Sequence, residues 1–318
     1  MNETLDFSKI RTWSVKGRRD LVRIDNLLTP GVSPVPEWED GDFLELVRRI
    51  KAARAEDRQV IWSMGAHVVK NRLSRYVIGL IRNKTITHIA GNGATSIHDF
   101  ELAYNGGTSE DVPSAIEDGS FGMWEETGRW MNEAISAGVQ KGMGYGESLA
   151  VFIHQNPGLF PYKEDCVLYQ AWLHQVPATY HIAIGTDIIH QHPACVFGDI
   201  GEASGIDFKR YCHSVSRLDG GVFLNFGSAV IGPEVFLKAL SISRNMGFDV
   251  FRFTTANFDL VQLGDYKSDI GYEDPNYYYR PRKNIVNRPV SRGGTGYHFS
   301  VDHQVSIPNL HRELTGGK

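Results

Sequence analysis

The chain is poor in cysteine, has no long apolar run and carries no excess of basic charge. Cys166, Cys195 and Cys212 are odd in number and none stands in a C-x-x-C pair, so they spell out neither a disulfide framework nor a paired-cysteine zinc or redox centre. They read as buried thiols that behave as small apolar side chains. No segment approaches the ~18 apolar residues of a membrane span, and residues 1–23 are charged rather than an apolar leader. A cytoplasmic protein without a membrane partner is expected. The formal net charge of −4 sets up no field that would attract nucleic acid, which leaves a small molecule as the expected partner.

What the sequence does contain is enough apolar material for a large core, 42% hydrophobic against 22% charged residues. Residues 1–40 mix Lys, Arg, Pro and Asp and read as an N-terminal arm that covers or pairs with something. No linker interrupts positions 40–262, so residues 41–318 are expected to form a single domain. In 43–53 the apolar positions Phe43, Leu44, Leu46, Val47 and Ile50 recur at helical spacing. After it one unit repeats: a short apolar or β-branched run, a glycine-marked turn, a helix. The runs are 59–64, ending at Gly65 and followed by helix 73–81, and 85–90, followed by turn 91–96 and helix 97–104. Run 178–184 precedes Gly185-Thr186-Asp187, and 222–226 precedes Gly227-Ser228-Ala229, with Pro233 placed as a first helical residue before 235–243. Run 248–253 precedes Thr254-Thr255-Ala256-Asn257. The alternation predicts an α/β fold, a mostly parallel sheet with helices on both faces, and ligands outside the carboxyl ends of the strands. Residues 118–147 read as flanking helices, and the Tyr-, Arg- and Gly-rich stretch 263–296, which has no period, as a substrate loop.

Several groups at the predicted strand ends could carry chemistry. Gly91-Asn92-Gly93-Ala94-Thr95-Ser96 lies between a strand and a helix, where backbone amides can hold a phosphate. Ser96 replaces the third glycine of G-x-G-x-x-G, and no strand precedes the acidic pair Glu110 and Asp111, so nucleotide binding and a plain tight turn stay open. Thr186, Asp187, His190 and His192 follow another strand. They could form a metal site, or Asp187 could hold a cationic substrate while His190 serves as acid or base, or Asp187 could simply cap the next helix. His98 and Asp99 sit in a first helical turn, where an acid also complements the macrodipole, and His67 follows Gly65 at a third strand end. Tyr277-Tyr278-Tyr279 with Arg280, Arg282 and Lys283 could stack on a planar ligand and neutralise an anion, or form a subunit contact.

Taken in order from about position 60 to about 288, these strand ends resemble the deoxyhypusine synthase family. The anchors are Gly65-Ala66-His67-Val68-Val69 with Leu73, Asn92-Gly93-Ala94-Thr95 leading to Asp99, Gly185-Thr186-Asp187-Ile188-Ile189, Gly227-Ser228-Ala229-Val230-Ile231, and Thr254-Thr255-Ala256 with Asp259. The resemblance implies a Rossmann-like domain, a homotetramer with NAD and substrate at a subunit interface, and transient hydride abstraction from an amine carbon followed by imine chemistry. It implies His67, Asn92, Gly93, Thr95, Gly227, Ser228, Thr255 and Ala256 as cofactor contacts and Asp187 as the anchor of the substrate amine. Asp99, Asp259, Arg280 and Lys283 complete the substrate contacts, and Asp187, His190 and His98 are the acid and base candidates.

Three departures from the family pattern matter. Pro289 stands where the family has a covalently modified lysine, Lys283 where it has an acid, and Pro233-Glu234-Val235-Phe236-Leu237 where it offers a histidine and an asparagine. The expected activity is therefore an NAD-dependent transferase or oxidoreductase acting on a small amine- or amino acid-like metabolite, not deoxyhypusine synthesis. The alternatives are a true deoxyhypusine or homospermidine synthase with its lysine relocated to Lys267 or Lys283, a metal-dependent hydrolase or lyase built on Asp187, His190 and His192, and a non-catalytic nucleotide-binding protein.

Overall fold

A computed structural model of the chain describes residues 3–316 with the exception of position 269. Positions 1–2 of the expected arm, 317–318 of the expected domain and 269 of the expected loop lie outside the described residues. In chain order the strands are β1 Asp20–Arg23, β2 Val60–Met64, β3 His88–Asn92, β4 Gly107–Glu110, β5 Ala178–His181, β6 Val222–Phe226, β7 Thr254–Asp259 and β8 Thr295–Ser300. The helices are α1 Gly41–Ala55, α2 His67–Lys70, α3 Ser74–Arg82, α4 Gly93–Asn105, α5 Val112–Asp118, α6 Glu125–Val139, α7 Tyr145–Gln155, α8 Val167–Leu173, α9 Phe197–Val215, α10 Ile231–Asn245 and α11 His303–Thr315.

Six strands form one parallel sheet in the order β5-β3-β2-β6-β7-β8. This is the doubly wound, Rossmann-like arrangement, in which the first strand of the sheet lies centrally and the order reverses between β2 and β6. The central strands β2 and β6 are buried at every position, which is why they read as near-continuous apolar runs, each with one polar residue, Ser63 and Asn225, instead of alternating ones. Trp62, Leu224 and Phe226 pack under α1, α3 and α11 on one face, and Ile61 and Phe223 pack under α9 and α10 on the other. A third cluster joins α4, α6, α7 and α8 beside the β5 edge. In the arm, β1 pairs antiparallel with β4, so Asp20 faces Glu110 and Val22 faces Thr108. No helix among the described residues is long and apolar enough to cross a membrane.

Boundaries moved where local pattern and tertiary pairing compete. Residues 248–253 are not a strand; β7 begins at Thr254, and Thr254-Thr255-Ala256-Asn257 lies inside it instead of forming the turn beyond it. The pairing Val222↔Thr254 to Phe226↔Phe258 brings the Phe258 ring onto Phe226 at 4.4 Å, a contact the earlier register would forfeit. The expected loop 263–296 ends in the edge strand β8, whose start at Thr295-Gly296 is hidden by glycine. Gly296 has no Cβ because the Val286 carbonyl occupies that space. At β3 the turn expected over 91–96 contracts to a single junction, Asn92 ending the strand and Gly93 opening α4. Pro233 takes the third position of α10, still within the turn where its missing N–H costs nothing.

Candidate functional site

The carboxyl ends of the parallel strands open on two neighbouring recesses, separated by the short helix α2 that follows β2. His67 of α2 lines one of them and Lys70 the other. The first, about 280 Å³, lies at the ends of β2, β6, β7 and β8 and is walled by His67, Asn71, Gly227, Asp259, Asp302 and His303. The second, about 390 Å³, lies at the start of α4 and takes in Arg18, Lys70, His98, Glu101, Glu110 and Asp187.

At the switch point two turns meet glycine against glycine. A Cβ on Gly65 would lie 2.7 Å from the Gly227 carbonyl oxygen, and Gly227 itself has φ +66° and would thrust a Cβ to 2.7 Å from His303 Nε2. Close approach and a left-handed backbone both demand glycine there. Asp259, at the end of β7, accepts a 2.6 Å hydrogen bond from the Tyr279 hydroxyl and one of 2.7 Å from the Leu260 amide. Behind it runs a feature that inspection of the sequence missed. Ser63, Asn225, Asn257 and His298 sit in register across four strands and form one buried polar row. Ser63 Oγ donates to Asn225 Oδ1 (3.2 Å), Asn225 Nδ2 to Asn257 Oδ1 (2.7 Å), and Asn257 Nδ2 lies within 3.0 Å of His298 Nδ1 and 3.2 Å of the Tyr279 hydroxyl. One polar residue at the same level of successive strands was the available signal. It was lost because β7 was displaced and β8 unrecognised. Buried amides persist only when paired, so this row holds the loop bearing Tyr279 against the strand ends and thereby orients Asp259.

At the second recess the anion held by the start of α4 is the chain's own. The Ala94 amide bonds to the Asp187 carboxylate, and any Cβ on Gly93 would fall within that carboxylate. Gly93 was expected to admit a pyrophosphate; it admits Asp187, whose charge would repel one. Asn92 and Thr95 are likewise spent internally, Asn92 Oδ1 accepting from the Thr95 amide (3.0 Å) and Thr95 hydroxyl (2.8 Å) as the cap of α4. Burial raises the Asp187 carboxyl to about 6 against the opposing effect of its hydrogen bonds. His98 lines the same recess, with Nδ1 2.7 Å from the Thr108 hydroxyl, and burial above all lowers it to about 4. The structure thus brings together Asp187 and His98 of the three acid and base candidates.

His190 is not with them. Its Nδ1 accepts the Gly185 (3.1 Å) and Asp187 (3.2 Å) amides and braces the turn from inside, while His192 is turned toward Glu125 Oε2 (3.2 Å) and the Ala194 amide (3.0 Å). Asp187, His190 and His192 therefore diverge, against the metal-dependent alternative, and no group of three or more His, Cys, Asp or Glu among the described residues is placed to hold a metal ion. Asp99, expected at the substrate, is fully buried on the far side of α4. It accepts from the Val167 (2.9 Å) and Leu168 (2.7 Å) amides and from Cys166 Sγ (3.3 Å), and so anchors the start of α8. Asp99→Ala is expected to cost about 3 kcal/mol of stability by orphaning those amides, read as a shifted urea midpoint, with ligand binding unchanged in the folded fraction.

The remaining expected contacts stand apart from both recesses. Thr255 and Ala256 are buried near the amino end of β7, the Thr255 hydroxyl bonded to the Ile285 carbonyl at 2.8 Å, because the strand starts at Thr254. Ser228 Oγ accepts from the Gly232 amide (2.9 Å) at the start of α10. Arg280 is exposed and paired with Glu234 at 2.8 Å, and Lys283 lies over the Tyr277 ring. Neither basic residue lines either recess. Besides Asp187, of the expected substrate contacts Asp259 reaches a recess, together with the cofactor candidates His67 and Gly227.

No protein-family profile and no curated protein sequence matches the chain. Solved structures do resemble it in fold. They include the arginine dihydrolase ArgZ of the cyanobacterial ornithine-ammonia cycle (14% identity, TM-score 0.51, 88% of this chain and 33% of that one). A conserved Methanococcus maripaludis S2 protein provisionally assigned to LOR/SDH gives 12% identity, TM-score 0.52 and coverage of 91% and 74%. An Entamoeba histolytica protein provisionally assigned as a deoxyhypusine synthase gives 10% identity, TM-score 0.46 and coverage of 87% and 90%. The chain spans about one third of the length of the arginine dihydrolase. At these identities the likeness is one of fold.

Proposed function

We propose that the protein is an NAD-dependent enzyme that acts on a small amine- or amino acid-like metabolite, with the dinucleotide at the switch-point recess and the substrate in the recess of Asp187 and His98. The observation that carries this is the juxtaposition, across one helical turn of α2, of a glycine-on-glycine switch point and a recess pairing a buried carboxylate with an imidazole. The arginine dihydrolase named above shares the fold and acts on an amino acid, which supports the substrate class.

The residues at the switch point fit the dinucleotide. Gly65 and Gly227 let the turns after β2 and β6 pack against each other beside the recess, and Asp259 and Asp302 offer carboxylates suited to ribose hydroxyls, with His67 beside them. The start of α4 does not fit a pyrophosphate, because Asp187 fills it. When bound, NAD would supply a hydride acceptor for the carbon that bears the amine. The chain's own residues do the rest. Asp187 holds the ammonium end by charge, and His98, uncharged at neutral pH, can accept its proton. Transfer through a lysine relocated to Lys267 or Lys283 has little support here: Pro289 lies buried in a 3-10 turn, and neither Lys267 nor Lys283 lines the recess of Asp187.

The exposed apolar side chains Leu21 and Val112 on the wall of that recess, with Ile184 nearby in sequence to Asp187, support its completion by a second copy in a homotetramer. Light scattering at micromolar concentration reads the mass directly. Calorimetric titration with NAD+ tests the cofactor assignment. Saturable binding is expected for the wild type and for Asp187→Asn, and loss of at least tenfold in affinity for Gly227→Ala, whose Cβ would press on His303. A wild-type protein that does not bind NAD+ overturns the reading.

A further inference from the structure

The arm reaches the second recess through a buried chain of polar groups that ends on His98. Arg18, from the arm, has a side chain only 3% exposed and grips Glu101 with both terminal nitrogens, Nη1 to Oε1 at 2.7 Å and Nη2 to Oε2 at 2.9 Å. Its Nε donates to Asp20 Oδ1 at 2.7 Å. Glu101, itself fully buried, also accepts the hydroxyl protons of Thr108 (2.6 Å) and Thr127 (2.9 Å). The bidentate guanidinium holds Glu101 ionised, below the usual carboxylate range despite its burial. A threonine hydroxyl has one hydrogen, and that of Thr108 is given to the carboxylate. The 2.7 Å contact between Thr108 Oγ1 and His98 Nδ1 must therefore run from the ring N–H to the oxygen lone pair. The imidazole is held as the Nδ1–H form, and Nε2, which has no hydrogen-bond partner among the described residues, carries the lone pair.

We propose that this relay makes His98 Nε2 the proton acceptor of the Asp187 recess, with Thr108, Glu101 and the arm residue Arg18 as positioning residues that set its tautomer and aim. The step rests on the reading of that recess as an amine site. The substrate N–H bond breaks, its electron pair stays on nitrogen, and the proton forms Nε2–H, giving an imidazolium whose Nδ1–H still faces Thr108 and the Glu101 charge behind it. Around the ring, Lys70 and His67 of α2 and Arg18 of the arm oppose that charge, and Glu101 favours it. The Thr108 relay thus places a compensating anion behind the ring where the new charge appears, in the manner of a base oriented by a third group. It also gives β1 a role beyond covering: without the arm, Glu101 would lose the cation that keeps it ionised.

The test needs no substrate. Long-range 1H–15N spectra of 15N-histidine-labelled protein, with the His98 signals identified by their absence in His98→Gln, report which ring nitrogen is protonated. The wild type is expected to show His98 protonated on Nδ1 and bare on Nε2 at neutral pH. Thr108→Ser should preserve that pattern, and Thr108→Val should release it toward Nε2–H, with circular dichroism checking the fold. An Nε2–H imidazole in the wild type overturns the proposal, as does a folded Thr108→Val with an unchanged His98. Should Thr108→Val fail to fold, the wild-type and Thr108→Ser spectra still decide. If the tautomer is as expected but no amine binds in calorimetry, the substrate reading fails while the relay stands.

Discussion

Arg18→Met is expected to destabilise the fold by about 3–5 kcal/mol, because it leaves the buried Glu101 and Asp20 facing each other without their shared cation. Glu101 lies 1% exposed and its partner comes from 83 residues earlier in the chain, so neither solvent nor a local cation can substitute. Arg18 also lies over the Trp124 ring at 5.4 Å, and methionine retains part of that packing, which makes the charge the main loss. Adding Glu101→Gln to Arg18→Met should recover a substantial share of the stability, since removing both charges ends the burial of an unpaired one. The measurement is urea unfolding followed by circular dichroism. A cost below about 1 kcal/mol, the level of an exposed ion pair, would contradict the burial argument.

Loss of amine binding by at least tenfold is the expected result of Asp187→Asn, in keeping with the ~2–5 kcal/mol that truncating one partner of a buried charge pair costs. The pH dependence has a definite sign. Burial raises Asp187 to about 6, so its charge is present above that value and lost below it, and affinity for a small ammonium compound should fall as pH drops through about 6. The unliganded protein should show the reverse trend in stability. The folded state keeps a proton that the unfolded chain gives up from near 3.8, so the contribution of Asp187 to stability declines between about pH 4 and 6. Gly93→Ala should reproduce the binding defect, because its Cβ claims the volume of the Asp187 carboxylate. Calorimetry with simple amines across pH 5–8 reads the three binding effects, urea unfolding between about pH 4 and 6 reads the stability trend, and an affinity indifferent both to pH and to Asp187→Asn would refute the assignment.

The α/β class, the parallel sheet and the residues that line the recesses at the strand carboxyl ends were legible because the signals are local. Val60–Met64 and Val222–Phe226 are apolar but for Ser63 and Asn225, as strands covered on both faces tend to be, and each is followed by a glycine turn that the backbone requires. His67, His98, Asp187, Gly227 and Asp259 all reach a recess because each stands at or just beyond such a strand. The register of β7 was not legible, since 248–253 and 254–259 both read as extended. Only pairing with β6 and the stacking of Phe258 on Phe226 choose between them.

Tertiary structure alone also decided what each polar group meets. His98 and Asp99 are adjacent, yet the helical rotation of about 100° per residue sends one to the recess and buries the other beneath α8. Asp187, and not a bound phosphate, meets the start of α4 because the turn after β5 returns across it. Arg18 meets Glu101 because β1 pairs with β4. Hydrophobic periodicity in the sequence records which side of an element faces the core. The partner of a buried charge depends on which distant segment the sheet order lays beside it, and that information resides only in the assembled fold.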